Sequence, residues 1–148
     1  MLASIRLILG ERPLGEGNID NYIIDPLVHR TMGMVVLVAM VGTAGWLTKL
    51  ALARRPIDTT GRVALAVAQL ALAGQALLGI KLLDQGMGVV QLYIHYIGGL
   101  TPLGLFLGAG WVAWQRPEQR TRALAVLTWV GLLSAAMAFF IGQAYVNR

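Results

Sequence analysis

Cysteine is absent from the 148 residues. That excludes disulfides, thiolate metal sites and cysteine redox chemistry, while leaving the compartment open. Charge is scarce: Asp, Glu, Lys and Arg make up 13% of the chain, where a soluble domain carries about a quarter. Only two histidines and seven acidic residues occur. No Ser/His/Asp arrangement, phosphate-binding glycine loop or carboxylate metal cluster can be assembled from them. No acid lies in the middle of an apolar run, and no paired Gly/Pro breaks recur in symmetric halves, so a transporter is not indicated.

What remains is apolar. Hydrophobic residues make up 57% of the chain, and the mean hydropathy is +0.67. That excess has to face lipid, which places the chain among integral membrane proteins with one small helical domain. The net charge of +5 does not point to nucleic acid. The basic residues sit in short loops between apolar runs, as in a membrane protein.

Uncharged runs cover residues 31–48, 63–80, 89–115 and 123–147. Each is near or above the ~18–20 residues that cross ~30 Å of hydrocarbon as a helix. Spanning strands would need only ~10 residues with strict alternation. The first helix begins near Leu27, with Pro26 in its first turn. The connections ALARRPIDTTGR, LDQGMG and QRPEQRTR are short, which sets consecutive helices antiparallel. The expected fold is therefore all-α: an antiparallel four-helix transmembrane bundle over residues 27–148. Residues 1–26 form an outer segment, its MLASIRLILG stretch suited to a short interfacial helix rather than a cleaved signal.

Lys and Arg give the orientation. Loops one and three, with their flanks, hold Lys49, Arg54, Arg55, Arg62, Arg116, Arg120 and Arg122 against Asp58 and Glu118. The other side balances Arg6, Arg12, Arg30, Lys81 and Arg148 with Glu11, Glu16, Asp20, Asp25 and Asp84. The positive-inside rule puts loops one and three in the cytoplasm, the chain in the inner membrane and both termini outside. Trp46, Trp111, Trp114 and Trp129 fall toward the inner end, and Tyr22, Tyr93, Tyr96 and Tyr145 toward the outer end, as interfacial belts.

The two histidines, His29 and His95, both fall in the outer part, early in helices one and three. Gly33 follows His29 at i+4; Gly98 and Gly99 follow His95 at i+3 and i+4. Those offsets share a helix face, so bare backbone lies beside each imidazole, as a flat macrocycle needs. Neutral imidazole is a common axial ligand of haem iron, and Arg30 and Lys81 lie on the same side for propionates. The plainer reading is that His29 is an interfacial polar residue and that His95 hydrogen-bonds across the bundle. Gln75, Gln69 and Gln91 should face inward. Gln75 serves either the cofactor or helix packing, and Gln91, at i−4 from His95, supports that ligand. Gly104 and Gly108, with Ala135 and Ala138, read as close-packing positions, and Pro102 as a kink in helix three.

The stretches PLVHRTMG, QLALAGQALLG and YIHYIGG resemble the heme A synthase family. The matching elements are the His29-Arg30 pair opening one helix, Gln75-Ala76-Leu77-Leu78-Gly79 in the next and His95 early in the helix after that. They cover roughly residues 26–115, three of the four expected helices. The resemblance implies that His29 and His95 are axial ligands of haem b iron, held by one four-helix, cofactor-binding half. With both axial positions filled there would be no open site for a substrate, so the first expectation is a haem-bearing subunit for electron transfer or a structural role in a respiratory or photosynthetic assembly, with other membrane subunits or a quinone as partners. The family's catalytic half carries a Glu three residues before the HR pair. Here that position is Pro26, with Asp25 one residue further back. A compact heme A synthase-like enzyme using Asp25, with a homodimer replacing the two fused halves, is the second expectation. A haem-free or chlorophyll-binding accessory subunit is the third.

Overall fold

The computed structural model describes residues 19–20, 22–87 and 93–146. The expected interfacial helix near the N-terminus lies outside the described residues, as does Gln91. The regular structure among the described residues is entirely helical: α1 (Pro26–Leu52), α2 (Thr59–Asp84), α3 (Tyr93–Trp111) and α4 (Pro117–Val146). Three of these, α1, α2 and α4, are long and apolar enough to cross a membrane. α3 has 19 residues; its tyrosines, His95, Thr101, Pro102 and glycines dilute its apolar content.

Local chemistry explains the ends. Asp25 caps α1, its Oδ1 accepting from the Leu27 N–H at 2.7 Å, and Pro26 supplies a first-turn residue that needs no N–H partner. Asp58 caps α2 in the same way through Gly61 N–H at 2.7 Å. α1 closes with paired bonds from Arg54 N to Ala51 O and from Arg55 N to Leu50 O, with Arg54 at φ 53°. α2 closes with the same motif, Gly86 taking the left-handed position at φ 75°. α4 starts earlier than the uncharged run implied. Pro117 and Glu118 form its first turn, so most of the polar QRPEQRTR stretch is helix. Proline at a helix start and an acid near the positive end of the dipole account for this.

α1 packs against α2 and α4, α4 against α3, and α2 only lightly against α3. α1 and α3 make no backbone contact, so they stand diagonally across the group. The core along this diagonal is built from Val36, Met40 and Leu47 of α1, Leu65, Ala68 and Leu72 of α2, Phe106 of α3 and Leu132 of α4. Large apolar side chains such as Val38, Leu70 and Leu133 point outward and stay exposed, far more apolar surface than water tolerates on a monomer. Polar contacts between helices include Thr43 Oγ1 donating to Ala64 O at 3.1 Å and Trp129 Nε1 donating to Thr48 Oγ1 at 3.0 Å. Gly104 and Gly108 face open space. Close approach of α3 to α4 occurs instead at Gly98, where a Cβ would lie 3.0 Å from Ser134 O and 3.3 Å from Ala138 Cβ. Pro102 is buried and packs its ring on Gly131.

The segment before α1 is strapped to the end of α2. Gln85 is fully buried, and its side-chain amide pairs with both backbone groups of Ile24: Oε1 accepts from the N–H at 2.7 Å, and Nε2 donates to the carbonyl at 3.0 Å. Lys81 bridges Asp20 at 2.7 Å and Asp84 at 2.8 Å. Asp84 also accepts from Ile19 N–H at 3.1 Å.

Candidate functional site

The buried stripe of α1 runs Gly33, Val36, Met40 and onward at spacings of three and four; His29 continues it one turn toward the N-terminus. On α3 the stripe is Gly98, Pro102, Phe106, Ala109, and His95 continues it in the same direction. Helical periodicity thus aims both imidazoles at the diagonal. Their ring centroids lie 6.4 Å apart, with the planes inclined at 60°.

Each ring is held by a neighbouring helix. His95 Nδ1 lies 2.8 Å from the carbonyl oxygen of Ala138 on α4. A carbonyl only accepts, so Nδ1 carries the proton and Nε2 keeps its lone pair. This is the tautomer of a metal-binding histidine whose far nitrogen is anchored on backbone. The ring reaches that carbonyl because residue 142 is glycine: a Cβ there would lie 3.0 Å from His95 Cε1 and 3.2 Å from Nδ1. Tyr96 stands edge-on to the same ring, with centroids 5.5 Å apart.

His29 leans on α2. The Gln75 amide nitrogen lies 3.1 Å from His29 Nε2; an amide N–H donates, so Nε2 accepts and the neutral ring is protonated on Nδ1. Gly79, one turn along α2, gives the ring room: a Cβ there would lie 3.3 Å from His29 Cε1. Two polar atoms at this spot, His29 Nδ1 and Gln75 Oε1, are buried without a hydrogen-bond partner. Leaving such atoms unpaired costs about 1–3 kcal/mol each.

The remaining residues of the expected site are placed differently from one another. Gly33 is buried, but its open face is occupied: a Cβ there would lie 2.9 Å from Phe139 Cδ2 and 3.4 Å from Gln75 Nε2. A Cβ at Gly99 would meet nothing within 4 Å, so Gly99 is not beside the imidazoles. The glycines that clear space for the rings are Gly79 and Gly142, on the helices between the two histidine helices. Arg30 is exposed. Lys81 is spent on Asp20 and Asp84. Asp25 is occupied as the cap of α1.

Gly142, Phe139 and the Ala138 carbonyl were not legible as site groups in the sequence. Their only signal is a glycine among larger residues in α4, a helix outside the family resemblance. Among the described residues no group of three or more His, Cys, Asp or Glu side chains comes together. No protein-family model, curated protein or solved structure matches the chain.

Proposed function

We propose that the protein is a b-type haem protein of the cytoplasmic membrane, its iron held axially by His29 and His95 near the outer face of an antiparallel four-helix bundle. The observation that carries this reading is the histidine pair itself. Two metal–nitrogen bonds of ~2 Å plus half of each imidazole give a centroid separation of ~6 Å; the observed value is 6.4 Å. The anchored Nδ1 of His95, which leaves Nε2 of that ring with its lone pair, supports the same reading. Two imidazoles are too few to hold a bare ion, but they complete a metal whose other donors come from a macrocycle.

When bound, the haem supplies one-electron chemistry. The chain's own residues would fix its axis: Ala138 orients His95, and Gln75 must release His29 Nε2, because Nδ1 of that ring carries the proton. Gln75 and Phe139 fill the space against Gly33, so a macrocycle enters only as those two side chains give way. Arg30, exposed at the outer end, is the cation available to a propionate, since Lys81 is already paired. With both axial positions filled by protein, electron transfer is favoured over chemistry on a bound substrate. Occupation of Asp25 as a helix cap weighs against the heme A synthase-like alternative.

A second reading rests on the closed hydrogen bonds His29–Gln75 and His95–Ala138: a haem-free accessory subunit whose histidines join helices. Absorption spectra of the purified chain separate the two. A Soret band lost in both His29→Ala and His95→Ala is expected. A colourless protein from a haem-replete host, or a band that survives both substitutions, sinks the haem reading. Pigment extraction distinguishes haem from a chlorophyll.

A further inference from the structure

At the end of the molecule opposite the histidines, two adjoining hollows of about 380 and 390 Å³ open between the start of α2, the end of α3 and the start of α4. Both are lined by Arg62 and Arg120. Each arginine is the fourth residue of its helix, so one guanidinium from α2 and one from α4 border the same space. Among the described residues, neither guanidinium has an ion-pair or hydrogen-bond partner. The acid nearest in sequence, Asp58, is committed elsewhere: it accepts from Gly61 N–H at 2.7 Å and from the Trp46 indole at 3.0 Å. Both side chains are exposed, so an anion can reach them.

We propose that this cleft binds a phosphate group between Arg62 and Arg120. The planar guanidinium fork matches phosphate oxygens. Beyond the arginines the lining turns apolar: Leu65 and Ala66 lie one turn further along the Arg62 face of α2, and Gln69 lies one turn beyond them. A charged mouth leading to an apolar wall, at a seam where α2 and α3 touch only lightly, fits a phospholipid whose chains lie along that seam. Free phosphate shares the headgroup chemistry and is the other source the test must separate.

The test uses the full-length chain, stripped of lipid in detergent. Binding of phosphatidylglycerol is read by native mass spectrometry and by thermal stabilisation, with inorganic phosphate in a parallel arm. Arg62→Gln and Arg120→Gln should each weaken phosphatidylglycerol binding about tenfold, and the pair should abolish it. The doubly conservative Arg62→Lys/Arg120→Lys variant keeps the charge but loses the fork, so it should fold as the parent does and bind at an intermediate level. Arg54→Gln/Arg55→Gln removes equal charge outside the cleft and should bind like the parent. Stabilisation by millimolar inorganic phosphate that depends on the same two arginines, without lipid binding, upholds the site with the free anion as its ligand. Equal loss in the Arg54/Arg55 variant, or undiminished binding in the Arg62/Arg120 variant, overturns the proposal.

Discussion

A methyl group added at Gly142 would press on His95 Cε1 at 3.0 Å, whereas one added at Gly99 would meet nothing within 4 Å. Gly142→Ala should therefore cost about 1–3 kcal/mol by overpacking and displace His95 from the Ala138 carbonyl. Gly99→Ala should change stability by less than about 0.5 kcal/mol. Denaturation in detergent, followed by circular dichroism, checks both; equal effects would remove the case for Gly142 as the ring's support. Asp58 supplies a second test. The Trp46 indole, and then the Gly61 N–H, hold its carboxyl below the usual carboxylate range. A depressed folded value stabilises the protein above the unfolded value of ~4 and withdraws that contribution as pH falls. The melting temperature should drop below about pH 4 in the parent, and the part of that drop due to Asp58 should be missing in Asp58→Asn. At this scale the two histidines were legible because ionisable groups in an apolar run stand out. Gly142 and Phe139 were not, because they serve the site from a different helix and nothing local marks a cross-helix contact.

At the scale of the elements, the four uncharged runs announced four helices, because length and apolar continuity alone decide that much. Their ends were less legible. Proline and acid at its start extended α4 back to Pro117, and the Asp58 cap set the start of α2. These signals sit in polar stretches that hydropathy reads as loop. The strap before α1 was unreadable for another reason: Gln85 bonds Ile24 across 61 positions, a pairing set by the fold. Gln85→Leu would leave the Ile24 N–H and carbonyl without their partners. A loss of about 1–3 kcal/mol is expected, with faster amide exchange at Ile24 and earlier proteolysis in residues 19–25. Unchanged exchange would mean that Lys81 and Asp84 hold the segment without it.

For the whole molecule, the surplus of Lys and Arg on the loops after α1 and α3 predicts an orientation with those loops in the cytoplasm. The lack of native cysteine makes a clean test possible. In intact cells or spheroplasts, Tyr22→Cys should react with a membrane-impermeant maleimide, and Thr60→Cys should react only after lysis. The reverse pattern would move the histidine pair to the cytoplasmic side. Charge asymmetry was readable from the chain. The diagonal placement of α1 and α3 was anticipated from short loops. The light contact between α2 and α3 was not, since side-chain fit decides how tightly two apolar helices meet.

That light contact has a mechanical corollary. α1 and α2 are joined at both ends, by loop one and by the strap, and α3 packs most closely on α4. The seam of α1 with α4 acts as the spine, and the seam of α2 with α3 is the fore-edge. His29 rides on one cover and His95 on the other. Any group that bonds both imidazoles is then a clasp: it fixes the opening of the book, and its loss is felt along the whole free edge as well as at the two rings it joined.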